Sequence, residues 1–166
     1  MSQPDKEKLL SKIMNYIPGV KGYREKEARR DMDKQLREYI ADQLDESRGR
    51  LEELKRQLAD ASQLKMLGQV DRLTKQLLKI ADTLRFASYG YAGFFAANAV
   101  GEAQLEAIYQ YDHQLLKQVE KIKSSISPPA STLPEQKELD SLEALLRELD
   151  QRITQRKHIV KSAIQI

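Results

Sequence analysis

The stretch LDESRGRLEELKRQLADASQLKMLGQVDRLTKQLLKI, residues 44–80, decides the fold of this chain. Its apolar residues alternate three and four positions apart, which places them on one face of an α-helix and favours packing against a second helix at a shallow angle. This apolar seam is interrupted only around residues 60–63. Because so short a connection joins neighbouring helices, the stretch predicts an antiparallel helical hairpin.

The same spacing extends in both directions and sets the lengths of the two helices. The first is predicted from Tyr23 to about Ala61, and its seam is Leu36, Ile40, Leu44, Ser47, Leu51, Leu54, Leu58 and Ala61. The second is predicted from Leu64 to Ala87, and its seam is Met66, Val70, Leu73, Leu77, Ile80, Leu84 and Ala87. The turn places Ala87 beside Ile40, so the start of the first helix overhangs the end of the second.

Two further helices are predicted after residue 100. One begins at about Gly101, and its seam is Leu105, Ile108, Asp112, Leu115, Val119, Ile122 and Ile126. Two consecutive prolines at 128–129 forbid its continuation. The last helix opens with Thr132 and Glu135 in capping-box spacing, and its seam is Leu139, Leu142, Leu146, Leu149, Ile153, Arg156, Val160 and Ala163.

Asp112 and Arg156 are charged residues at seam positions, where a buried charge needs a partner. If the last two helices pair antiparallel about the prolines, Asp112 lies near Arg147, and their salt bridge fixes the register. Asp112 with His113 is only a weak metal-binding pattern, because His158, the other histidine, is on a different helix. No metal site is therefore predicted.

An amphipathic helix is predicted at the N-terminus, from about Pro4 to Tyr16, with lysines opposite a face of Leu9, Leu10, Ile13, Met14 and Ile17. The chain is divided into this helix with its turn (1–22), a helical hairpin bundle with an aromatic turn at 86–100 (23–127), and a proline linker with a C-terminal helix (128–166). The predicted fold class is all-α: a long antiparallel hairpin or bundle of about five helices with coiled-coil-like heptad packing.

Composition narrows the functional classes. The chain has no cysteine, which removes disulfides, thiolate ligands and thiol catalysis. Its 28 basic residues are interleaved with 25 acidic ones for a net charge of +3, which disfavours nucleic-acid binding. We find no Ser/His/Asp, Cys/His, phosphate-loop or paired-carboxylate motif, so no catalytic residue or cofactor is predicted and the chain is expected not to be an enzyme.

The segment 86–100 is dense in aromatic and small residues, and seven of the ten aromatic residues lie between Phe86 and Tyr111. One interpretation is a packed corner between helices. The other is a recognition surface, because Tyr and Phe are enriched in binding hot spots. The hairpin brings this segment to the arginine-rich start of the first long helix. The candidate partner-binding residues are Tyr23, Arg24, Arg29, Arg30, Tyr89, Tyr91, Phe94 and Phe95.

Three stretches, YIPGVKGY at 16–23, RFASYGYAGFF at 85–95 and YQYD at 109–112, resemble a family of uncharacterised bacterial helical coiled-coil proteins. The likeness covers about residues 9–125 and implies a bacterial cytosolic origin, without implying an activity or a site. In outline, an amphipathic helix before a long hairpin is similar to the membrane-remodelling proteins of the phage-shock and ESCRT type. That second likeness is an analogy of shape alone.

The sequence favours a non-enzymatic helical protein-protein interaction or scaffolding module in the cytoplasm, with a protein partner whose identity the residues do not give. Its seams also allow a homo-oligomer. The alternative is a peripheral membrane protein, held at the inner face of the membrane by the N-terminal amphipathic helix. One such helix binds a membrane surface only weakly.

Overall fold

The computed structural model describes Ser11 and residues 26–87, 102–126 and 133–162. These residues form four helices and no strand: α1 (Lys26–Asp60), α2 (Leu64–Arg85), α3 (Glu102–Ile126) and α4 (Gln136–Ser162). The all-α bundle predicted from the sequence is therefore confirmed. About five helices were expected, and the N-terminal one at 4–16 lies outside the described residues apart from Ser11.

The chain reverses between α1 and α2 within three residues. Ser62 takes a left-handed backbone conformation with φ of 57°. The Gln63 N–H donates to the Leu58 carbonyl at 2.8 Å and the Ser62 N–H to the Ala59 carbonyl at 3.0 Å. These two bonds form a Schellman motif, which satisfies two carbonyls at the end of α1. Serine replaces the usual glycine here, at a conformational cost of about 1 kcal/mol.

Ion pairs between the two helices mark the register of the hairpin. Lys55 Nζ lies 2.9 Å from Asp71, and Arg85 Nη2 lies 2.8 Å from Asp42. Both pairs agree to within two residues with the register predicted from the turn. The antiparallel hairpin and the overhang of α1 beyond the end of α2 are therefore confirmed.

The second hairpin, α3 with α4, lies beside the first with each helix parallel to its neighbour. On one side, Lys123 of α3 binds Glu46 of α1 at 2.7 Å. On the other side, Gln69 of α2 donates to Asp140 of α4 at 2.9 Å, and ten residues further on Lys79 meets Asp150 at 3.1 Å. Thus α1 and α3 run in one direction, and α2 and α4 run in the other.

All four helices contribute to a single core. Most residues of the predicted seams are buried, and those with described side chains that are almost inaccessible include Ile40, Leu44, Leu51, Leu58, Leu73, Leu77, Ile80, Ile108, Leu115, Ile122, Leu146 and Leu149. One seam prediction is wrong, since Ala61 is exposed because it belongs to the turn. Leu54, Met66 and Ile126 are only partly buried, but they pack against the core.

The start of α4 differs from the prediction. The helix begins at Gln136, and the Glu138 carboxylate accepts a hydrogen bond of 2.8 Å from the Glu135 N–H. The capping contact therefore involves Glu135 and Glu138, three residues later than the predicted pair of Thr132 and Glu135. The register of α4 against α3 also differs from the predicted one, since Gln118 donates to the Leu145 carbonyl and Arg156 donates to Asp112.

Candidate functional site

Four charged side chains are buried together at one end of the bundle. Asp33 and Arg37 come from α1, Asp112 from α3 and Arg156 from α4, and their exposed fractions are 7%, 6%, 3% and 3%. Charged residues are rarely buried to this extent unless they are paired. We call these four side chains the buried ion network.

Arg156 is the centre of the network. Its Nε lies 2.5 Å from Asp112 Oδ1 and its Nη2 lies 2.9 Å from Oδ2, so the guanidinium grips this carboxylate with two bonds. The same Nη2 also donates to Asp33 Oδ1 at 2.7 Å. A planar guanidinium suits such a fork because its donors are fixed in one plane. Arg156 therefore joins α4 to both α3 and α1.

Arg37 extends the network to the fourth helix. Its Nε donates to Asp33 Oδ2 at 2.9 Å, and its Nη1 donates to the Leu84 carbonyl oxygen at 2.8 Å. Leu84 is in the last turn of α2, where carbonyls have no partner within the helix and the dipole is negative. The Arg37 guanidinium therefore caps α2, and the network contacts all four helices.

The network is electrically balanced, with two carboxylates facing two guanidiniums. Burial raises the pKa of Asp112, the Arg156 guanidinium opposes this rise, and the negative charge of Asp33 adds to it. Asp112 therefore ionises less readily than an exposed aspartate, and its charge depends on Arg156. The predicted salt bridge of Asp112 exists, but the partner is wrong: Arg147 is exposed and binds Glu143 at 2.9 Å.

The network marks the end of the bundle at which α2 stops, which we call the network end. Arg85, the last residue of α2, pairs with Asp42, and α1 begins sixteen residues earlier, at Lys26. At 1.5 Å per residue, α1 extends about 24 Å past this level. Phe86, just after α2, is 77% exposed at the same end.

The predicted partner-binding residues are only partly described. Arg29 and Arg30 belong to α1 and precede Asp33, so their backbone lies at the network end, although the described side chains of α1 begin at Asp33. The other six residues lie outside the described part of the chain: Tyr23, Arg24, Tyr89, Tyr91, Phe94 and Phe95. Their proximity to the arginines stays a prediction.

No protein-family model, curated protein or solved structure matches this chain. The resemblance to a bacterial helical family accordingly remains a prediction. Within the described ranges, no three His, Asp or Glu side chains are grouped so as to hold a metal ion. None of the described helices is both long and apolar enough to cross a membrane.

A cavity of about 400 Å³ opens on the outer face of α4, and its lining residues are Asp140, Glu143, Ala144, Arg147, Glu148 and Gln151. All of them belong to one helix, so the cavity is a surface depression. Its arginine is already paired with Glu143. The buried ion network lies inside the bundle, and none of its four residues lines this cavity.

Asp33 and Arg37 were missed in the sequence, although a signal was present. Asp33 lies seven residues before Ile40 and so continues the heptad seam of α1 by one repeat. Arg37 follows it by four residues, on the same face of the helix. An acid and a base at these spacings, together with Asp112 and Arg156 on other seams, predict a charged layer.

Proposed function

We propose that this chain is a non-enzymatic helical interaction or scaffolding protein of the bacterial cytoplasm, and that it binds a protein partner at the network end. The observation that carries the proposal is the exposure of Phe86, at 77%, where α2 stops and α1 continues. Aromatic residues, phenylalanine among them, are enriched at the centres of protein–protein interfaces, which supports a partner at this exposed position.

The geometry of the network end supports this proposal in a second way. Arg37 and Arg156 link all four helices, so the first turns of α1 lie beside a region held by several charged hydrogen bonds. A binding surface on a rigid support loses less conformational entropy when the partner binds. Arg29 and Arg30 lie on this overhang, and arginine is common in binding surfaces.

The test is photo-crosslinking in the native cell, with a photoreactive phenylalanine analogue placed singly at Phe86 or at Leu64. Leu64 is a matched control because it is 73% exposed and lies at the opposite end of α2. We expect one crosslinked protein from position 86 and none from position 64. The crosslink should weaken when Arg29→Ala and Tyr91→Ala are added, because both residues belong to the proposed surface.

Equal crosslinking from both positions would indicate nonspecific binding to exposed apolar residues and would contradict the proposal. No crosslink from position 86 would argue against a partner at the network end. Arg56→Ala serves as the control for the arginine substitution, since Arg56 is exposed near the far end of α1 and pairs with Glu53. This variant should leave the crosslink unchanged.

A further inference from the structure

The connections between the helices do not all fix how the helices align. Residues 61–63 join α1 to α2 so tightly that only one register is available. Nine residues, 127–135, separate α3 from α4, and sixteen residues, 86–101, separate the two hairpins. Connections of these lengths can close over several registers at little difference in entropy.

The apolar seams leave the same ambiguity. The seam of α4 repeats leucine at Leu139, Leu142, Leu146 and Leu149, so a slip by one heptad exchanges one leucine for another. Pairing the two helices about the prolines placed Asp112 beside Arg147, nine residues from its real partner Arg156. The position of the connection therefore does not define the alignment of α4, and the repeated leucines offer more than one.

We propose that the buried ion network selects the register of the α3–α4 hairpin, both internally and against the α1–α2 hairpin. A slip of α4 by one heptad moves Arg156 by about 10 Å along the axis and leaves Asp33 and Asp112 buried without it. Uncompensated buried charge is strongly unfavourable, so the slipped alignments are excluded. A polar residue at one core position plays the same part in coiled coils.

In this proposal, the contact between Asp33 and Arg156 sets the register of one hairpin against the other. It is the one ion pair of the described residues that joins the two hairpins with both side chains at most 5% exposed. The other ion pairs across this interface, Lys123 with Glu46 and Lys79 with Asp150, have side chains that are 33–69% exposed. Exposed pairs contribute little to alignment because water and salt screen them.

The experiment measures register directly with pairs of spin labels, which is simple in a chain without cysteine. Lys121→Cys with Ser141→Cys reports on α3 against α4, because neighbouring Gln118 bonds the Leu145 carbonyl. Thr83→Cys with Thr154→Cys reports on α2 against α4, since each lies four residues after the paired Lys79 and Asp150. All four labelled positions are exposed.

The main variant replaces the network by apolar residues of similar volume: Asp33→Leu, Arg37→Met, Asp112→Leu and Arg156→Met. We expect a folded helical protein in which both label pairs show a second population, offset by about 10 Å along the helix axis. A single population at the native distance would show that apolar packing sets the register. An unfolded variant would also contradict the proposal, because the network would then be needed for folding itself.

A milder variant, Asp33→Asn, separates the two parts of the proposal. It preserves the side-chain shape and the grip of Arg156 on Asp112, so the label pair on α3 and α4 should keep one distance. The pair on α2 and α4 should gain the second population. No change in either pair would overturn the proposed role of Asp33. The control Lys79→Ala with Asp150→Ala removes an exposed pair and should alter neither distance.

Discussion

Arg156 compensates the buried negative charges, because its guanidinium donates hydrogen bonds to both carboxylates of the network. We predict that Arg156→Met lowers the free energy of unfolding by about 3–5 kcal/mol, the usual cost of breaking a buried pair from one side. Urea denaturation at neutral pH measures this loss. Arg147→Met is the matched control: its side chain is 67% exposed and should change stability by less than about 1 kcal/mol.

The loss in Arg156→Met should also depend on pH. Burial raises the pKa of Asp112 above its ordinary 3.8, and the variant lacks the guanidinium that opposes the rise. A folded state with a raised carboxyl pKa binds protons more tightly than the unfolded state, so it gains stability as the pH falls through that pKa. The difference in unfolding free energy between the variant and the unmodified protein should therefore decrease as the pH falls from neutral to about 4. A constant gap would contradict the burial of an uncompensated carboxylate.

Asp71 lies on the surface of the α1–α2 hairpin, and its pKa is shifted in the opposite direction. Hydrogen bonds from Lys75 and Lys55 lower its pKa to about 2 from an ordinary 3.8. Its contribution to stability is present above the ordinary value and is lost as the pH falls toward 2. We predict an NMR titration midpoint of Asp71 near 2 that rises in Lys55→Met and in high salt, because the site is partly exposed and screened. A midpoint at the ordinary value would show that the ion pairs are not formed in solution.

At the scale of the helices, Leu54 and Leu58 test how well heptad spacing measures burial. Both belong to the predicted seam of α1, but Leu58 is 0% exposed whereas Leu54 is only partly buried. We predict that Leu58→Ala costs about 2–5 kcal/mol, as is usual for a fully buried leucine, and that Leu54→Ala costs clearly less. Chemical denaturation of the two variants compares them. Equal losses would mean that Leu54 is packed as tightly as its neighbour.

The sequence predicts each helix better than it predicts their alignment. The seams of α1 and α2 and the short turn give the correct hairpin register, as Lys55 with Asp71 shows. For α3 and α4 the predicted partner of Asp112 was nine residues away from Arg156, because the prediction took the prolines as the centre of the turn and a nine-residue connection defines no unique alignment. Charged residues on a seam signal that a partner exists, and only the packed structure identifies which residue it is.

At the scale of the whole molecule, the alternative function of membrane association concerns residues outside the described part. It predicts that the full chain sediments weakly with vesicles containing anionic lipid, and that deletion of residues 1–17 abolishes this binding. High salt should weaken it, since lysines of the amphipathic helix attract the lipid head groups. Equal sedimentation of the full and shortened chains would eliminate the alternative.

The distance along the chain between Asp33 and Arg156, 123 residues, has a consequence for the order of folding. The α1–α2 hairpin closes across three residues and can form early, whereas the network requires four helices to have met. We therefore expect the network to be absent from the folding transition state. We predict that Arg156→Met leaves the folding rate nearly unchanged and accelerates unfolding by roughly two to four orders of magnitude, as stopped-flow kinetics would measure. The lifetime of the native bundle is then controlled by the contacts that form last.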